Sequence, residues 1–168
     1  MLLSPLTFTH GDVAAASSVL MASAVDRTAR GEELWLPQSL TPERLGKYYP
    51  PEGWQVAWHG GQPVGCYVLL DQDPLFWPDD PEGEALYLHK LAVHPEVQGR
   101  RLAWTLLQRA AQQAADRRRA YLRLDTATHR PKLRAVYESI GFEHVADRIV
   151  KSWAVSLYEL PVQTGAHG

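Results

Sequence analysis

The chain has 168 residues, 45% of them hydrophobic and 21% charged, which is the size of one compact domain and enough apolar material to bury about two thirds of its unfolded surface. Wholesale disorder is excluded, and a net charge of −2 argues against a general nucleic-acid binder, because surfaces that track phosphates need a basic excess. The longest uncharged apolar stretch, Val13 to Val25, is diluted by serines and falls short of the roughly 20 residues that span a bilayer, so no membrane partner is expected. No lysine or arginine precedes Arg27, and Cys66 is the only cysteine, so neither a signal peptide nor an intrachain disulfide is expected and a reducing cytoplasm is the expected setting.

In chain order, Val13, Ala16, Leu20, Met21 and Ala24 recur at helical spacing behind Asp12, a plausible N-cap, and predict a first helix to about Thr28. Thr41-Pro42-Glu43 opens a short helix that Pro50-Pro51 must end. Trp54–His59 and Pro63–Leu70 read as strands of a hairpin turned at Gly60-Gly61. After a proline-rich segment, Ala85 to Val93 is apolar except for His89 and Lys90, as in a strand buried on both faces.

A helix from about Arg100 to Arg118 follows, with Ala103, Leu106, Leu107, Ala110 and Ala114 on one face. Tyr121–Asp125 is a short strand. Pro131 opens another helix, on which Leu133, Val136, Tyr137 and Ile140 share a face and which Gly141 ends. Glu143 to Leu160 reads as two strands. The order β-α-α-β-β-β-α-β-α-β-β predicts an α/β fold of one domain over residues 1–168, a central mixed sheet with helices on both faces.

Charge is unevenly placed. Six acids and no lysine or arginine lie between Asp71 and Glu84, whereas Gln98 to Arg134 holds nine arginines and one lysine against Asp116 and Asp125. A solvated acidic loop and a solvated helix face are the ordinary explanation. The sharper one is a site joining an anionic ligand to a cationic one.

Leu91-Ala92-Val93-His94-Pro95-Glu96-Val97-Gln98-Gly99-Arg100-Arg101-Leu102-Ala103 reads as a buried strand, a turn and a helix start. Backbone N–H groups at a helix start lack intrahelical partners and sit at the positive end of the dipole, where they favour phosphate, and Gly99 permits close approach. No Gly-Lys-Ser/Thr follows, so this is not a Walker loop. A second block runs from Tyr121 through Pro131 to Tyr137-Glu138-Ser139-Ile140-Gly141-Phe142.

Together the two blocks resemble the GCN5-related N-acetyltransferases (GNAT family). The family's acyl-CoA motif, Gln/Arg-x-x-Gly-x-Gly/Ala, is matched at Gln98 and Ala103, and Tyr137 to Phe142 match the end of its tyrosine-bearing helix. The motif region covers about 55 residues from Leu86 to Phe142, and the element order agrees with that fold along the chain. Two departures stand out: Arg101 replaces the family's inner glycine, and Arg130 an asparagine often found before the tyrosine helix.

The resemblance implies an acetyl-CoA-dependent N-acetyltransferase in which the amine of a small molecule or peptide attacks the thioester directly through a tetrahedral intermediate, and the acidic run from Asp71 to Glu84 leads us to expect an acceptor that is cationic before it reacts. It also implies that Gln98, Gly99, Arg100, Arg101, Leu102 and Ala103 cradle the pyrophosphate, with Arg130 a further charge partner. The backbone of Leu91 and Val93 would bond the pantetheine arm, Leu91 N–H acting as oxyanion donor at a strand bulge. Tyr137 would protonate the leaving thiolate.

His89 is the candidate base, because imidazole takes a proton near pH 7 and histidines occur in this strand in family members acting on arylalkylamines. Tyr87, Glu84 and Asp125 are lesser candidates. By strand parity, Tyr87, His89, Leu91 and Val93 share a face unless a bulge intervenes. No metal is implied, since no histidine, cysteine or acid cluster shows ligand spacing in sequence. The rival reading is a non-catalytic acyl-CoA-binding module with a sensing role, favoured by Arg101 and Arg130. The oligomeric state, a homodimer included, stays open.

Overall fold

Asp12 accepts a hydrogen bond from the Ala15 N–H at 2.9 Å and starts the first helix, α1 (Val13–Ala29), where the serine-diluted apolar run predicts it. The computed structural model describes residues 5–97 and 101–162. Thr41 caps α2 (Pro42–Tyr48) through the Arg44 N–H. The predicted hairpin forms from β2 (Trp54–His59) and β3 (Gln62–Leu70), and both glycines of its turn have positive φ, 58° and 80°. β1 (Thr7–His10) pairs antiparallel with β2.

The remaining elements are β4 (Ala85–Val93), α3 (Leu102–Asp116), β5 (Tyr121–Ala127), α4 (Pro131–Ile140), β6 (Glu143–Val150) and β7 (Trp153–Pro161). Gly141, with φ 117°, is the left-handed cap of α4. The seven strands follow the order β1-β2-β3-β4-β5-β7-β6, and β4–β5 is a parallel pair among antiparallel ones. This is the mixed α/β sheet fold that the element order predicts.

The chain gathers into two compact units, Met1–Leu69 with Lys90–Leu107, and Leu70–His89 with Gln108–Gly168. In the first, Trp54, Val56, Tyr67, Val68, Val19 and Leu20 are fully buried. Its helices occupy both faces of the sheet. The Cys66 thiol points to the Ala16 carbonyl of α1, whereas a side chain on the adjacent Gly65 would meet Leu106 and Leu102 of α3 at 2.8 and 3.4 Å. Successive strand residues face opposite ways, so α1 and α3 lie on opposite sides of β3. Burial pushes the Cys66 thiol well above its ordinary value, against a weaker opposing hydrogen bond to Ala92.

In the second unit, Ala85 and Tyr87 of β4 pack with Trp77, Val150, Val155 and Leu157. α4 is shallower than its apolar periodicity predicts: Leu133, Tyr137 and Ile140 are half-buried, and Val136 is exposed. On α3 the buried stripe is Leu102, Leu106, Leu107, Ala110 and Ala114, with Ala103 only half-buried. No helix among the described residues is long and apolar enough to cross a membrane.

Candidate active site

β4 and β5 are in register only from Ala85↔Tyr121 to Tyr87↔Arg123. Two residues beyond that pairing comes His89, and after it Lys90, which has φ 55° inside the strand. A left-handed non-glycine residue interrupts the alternation of a strand, so parity no longer tells where Leu91 and Val93 point. Burial agrees: Ala85 to Leu88 are buried, and His89, Lys90 and Leu91 are each half-buried.

In the second unit, His89 Nε2 lies 2.7 Å from Asp73 Oδ2, and its Nδ1 lies 3.9 Å from Asp125 Oδ1. The side chains of Asp73, His89 and Asp125 are only 7%, 14% and 13% exposed, so water screens these contacts weakly. The three ligand-type atoms fall within 4.8 Å of one another, a grouping that sequence spacing does not show. The Phe76 ring lies 6.1 Å from the imidazole and 6.5 Å from the half-exposed Trp153 indole.

A second cluster fixes the acidic segment. Arg123 is nearly buried and binds Asp80 at 2.9 Å, Glu84 at 2.7 Å and Glu159 at 2.9 Å. Its guanidinium lies 5.1 Å from the Trp77 ring and 4.5 Å from that of Tyr121. Burial alone would lower the Arg123 pKa. Its bonds to Glu84 and Glu159 and the charge of Asp80 outweigh that and raise it. Tyr87 donates its hydroxyl to Asp80. Burial, reinforced by that acceptor, holds the phenol neutral above its ordinary range, although Arg123 opposes the shift. Asp71 meets Arg119 at 3.0 Å.

Thus Asp71, Asp73, Asp80 and Glu84 are bound to partners within the unit, and Asp71, Asp79 and Glu82 are exposed. The segment is neither a free acidic loop nor an open anionic patch. Sequence reading missed this because Arg123 and Arg119 are about 40 residues or more from the acids they bind, and only packing brings them together.

Tyr137 of α4 is half-buried, edge-on to Phe142 at 5.8 Å and tilted to Tyr158 at 6.4 Å. Tyr158 donates its hydroxyl to Glu138 and accepts from Arg134 Nε. Burial and the Glu138 acceptor raise its pKa against the opposing Arg134. Arg130 precedes α4 and donates its backbone N–H to the Ala127 carbonyl.

In the first unit, His94 N–H donates to the Val64 carbonyl at 2.8 Å, anchoring the chain after Val93. Gln98, Gly99 and Arg100 lie outside the described residues. Arg101 has φ 59°, the backbone region that favours glycine, and it stands where the motif has its inner glycine. Its exposed side chain lies 5.1 Å from the Trp104 ring. Leu102 is buried, so only its backbone is open to a cradle role.

The fold is that of known acetyltransferases. The chain is similar to an acetyltransferase from Thermus thermophilus, with 22% identity and a TM-score of 0.69, covering 96% of this chain and 100% of that one. It is also similar to the ribosomal-protein-S18-alanine N-acetyltransferase of Escherichia coli, with 17% identity and a TM-score of 0.67, covering 97% of each chain. A GNAT family acetyltransferase from Elizabethkingia anophelis with acetyl-CoA bound is similar over 65% of this chain and 75% of that one, with 16% identity and a TM-score of 0.52. No curated protein is similar enough in sequence to register as a relative. The sequence pattern of the acetyltransferase (GNAT) family matches residues 21–142, which is more than half of the sequence, and the chain therefore belongs to the GNAT acetyltransferases.

Proposed function

We propose that the protein is an acetyl-CoA-dependent N-acetyltransferase acting on a primary amine, with His89 as the base. One observation carries this reading: the imidazole is held by Asp73 at a half-buried position, one residue before the left-handed Lys90 of β4. An amine with a pKa near 10 is protonated at pH 7, so a group able to take that proton is a chemical necessity. His89 accepts it, and the nitrogen keeps the electron pair used for attack.

Leu91 N–H, next to the irregularity at Lys90, is the oxyanion donor of this reading. Tyr137 protonates the departing thiolate. Arg101 holds φ 59°, the backbone region that glycine adopts without strain, which supports a retained phosphate cradle at the start of α3 rather than a lost one. Gln98 to Ala103 make up that cradle in the proposal.

The reading is tested by mixing the protein with acetyl-CoA and a panel of primary amines and peptides and following thiol release. Acetyl-CoA at about 100 times its dissociation constant is expected to stabilise the fold by roughly 2.7 kcal/mol, and at least one amine to drive turnover. A melting temperature unmoved by millimolar acetyl-CoA sinks the reading. Stabilisation without turnover on any amine favours the sensing module.

A further inference from the structure

Lys90 has φ 55° inside β4, a backbone region that a residue with a β-carbon disfavours roughly 5- to 30-fold and that glycine enters freely. One class of strand bulge takes glycine at such a position for that reason. A lysine there must be held, and in the first unit Trp35 and Cys66 hold it from two sides. The Lys90 ammonium lies 4.9 Å from the centre of the Trp35 ring, on the segment between α1 and α2. Both residues are half-buried, where partial exclusion of water strengthens a cation–π contact. The Lys90 carbonyl faces the Cys66 thiol of β3, whose sulfur is 3.7 Å away.

The Lys90 carbonyl and the Leu91 N–H belong to one planar trans peptide and point in opposite directions. Holding the carbonyl against Cys66 therefore turns the Leu91 N–H away from Cys66. The thiol is itself fixed: it is fully buried, lies 3.8 Å from the Ala16 carbonyl of α1 and takes a backbone hydrogen bond from Ala92. One sulfur thus bonds the residues on either side of Leu91.

Resting on the acetyltransferase reading, in which Leu91 N–H stabilises the oxyanion, we propose that Trp35 and Cys66 are positioning residues that hold the Lys90–Leu91 peptide in its left-handed turn and so aim that donor. Both act through Lys90, Trp35 on its side chain and Cys66 on its carbonyl. An oxyanion donor gives its full effect only when it is already oriented before the charge develops. The cost of losing this clamp therefore falls on kcat rather than on the binding of acetyl-CoA.

The test combines backbone NMR of Lys90 in the full chain with steady-state acetyl transfer to the fastest amine of the panel. Wild-type Lys90 should show the coupling and NOE pattern of a positive φ, a measurement that needs no variant. Trp35→Leu should weaken that pattern and lower kcat roughly 5- to 30-fold, the preference no longer opposed, with both KM values unchanged. Trp35→Tyr keeps an aromatic face for the cation and should retain most of the rate. Adding Lys90→Gly to Trp35→Leu should recover most of the lost kcat, because glycine needs no clamp. Cys66→Ala should lower kcat, and Cys66→Ser, which keeps a hydrogen-bond donor, should lower it less. Lys90→Met keeps the chain length and loses the charge, and it reads the same contact should Trp35→Leu fail to fold.

A right-handed or extended Lys90 in the wild type overturns the proposal. So does a Trp35→Leu defect that Lys90→Gly leaves uncorrected, or one that appears in the acceptor KM instead of kcat. Parent-rate acetylation by both Trp35→Leu and Cys66→Ala leaves the acetyltransferase reading standing and removes the clamp. A Lys90 that leaves the left-handed region in Trp35→Leu, in a protein that acetylates no amine, keeps the clamp and removes that reading.

Discussion

His89 Nε2 and Asp73 Oδ2 are 2.7 Å apart, and this contact joins a polar residue of β4 to a buried acid of the proline-rich segment before it. A histidine so held presents one ring nitrogen in a fixed direction. His89→Gln is expected to lower kcat/KM by roughly 10²- to 10⁴-fold, the usual worth of a general base, and to remove the ascending limb of its pH profile without changing acetyl-CoA affinity. Two acceptors of different basicity identify the limb, because one that moves with the acceptor belongs to the amine and removes the case for His89.

Arg101 holds φ 59° at the start of α3, where a side chain costs about 1–2 kcal/mol relative to the right-handed region. Stacking on Trp104 at 5.1 Å offsets part of that. Arg101→Gly relieves the strain while losing the stacking, whereas Arg101→Ala keeps the strain and loses the stacking. The glycine variant should be the more stable of the two by about 1 kcal/mol in urea unfolding. If the guanidinium also reaches the phosphates, both variants should flatten the salt dependence of CoA affinity.

Arg123 binds three carboxylates, and its own side chain is 8% exposed. Arg123→Met removes the cation and leaves the acids facing one another, for which a loss of about 3–5 kcal/mol is expected. The segment between Asp71 and Glu84, pinned by this cluster, should become the first site of limited proteolysis. Protease resistance and a melting temperature equal to the parent's would show that the cluster does not anchor the segment.

Cys66, Tyr87 and Tyr158 all have pKa values raised by burial. The folded state therefore holds their protons more tightly than the unfolded chain, where a thiol ionises near pH 8.5 and a phenol near pH 10. Stability from these groups is intact below about pH 8.5 and falls as pH rises, by up to about 1.4 kcal/mol per pH unit for each group once past its unfolded value. Urea unfolding across this range should show a decline that steepens near pH 10, and Tyr87→Phe should reduce the second step. In the native state Cys66 should resist thiol reagents that modify it on unfolding.

Local signals in the sequence account for much of the fold. Asp12 and Thr41 are N-caps, Gly60-Gly61 turns the hairpin and Gly141 ends α4, each because its side chain or lack of one meets a local backbone requirement. His89 is visible as a polar residue in an apolar strand. Asp73 is not, because it lies in an irregular stretch among prolines where no period relates its direction to β4. The left-handed turns at Lys90 and Arg101 leave no compositional trace either, since lysine and arginine are not residues that favour positive φ. What the sequence conceals here is long-range pairing and backbone strain, both settled by packing.

The most direct measurement follows an isotopically labelled acetyl group from acetyl-CoA across the amine panel by NMR of the products. The account predicts that the label leaves the thioester and appears as an amide on the acceptor nitrogen, one for each thiol released. That transfer should slow by roughly 10²- to 10⁴-fold in His89→Gln and by ~10- to 1000-fold in a folded, CoA-binding Tyr137→Phe. A label that stays on CoA with every amine despite saturable binding, or that emerges only as free acetate, contradicts it.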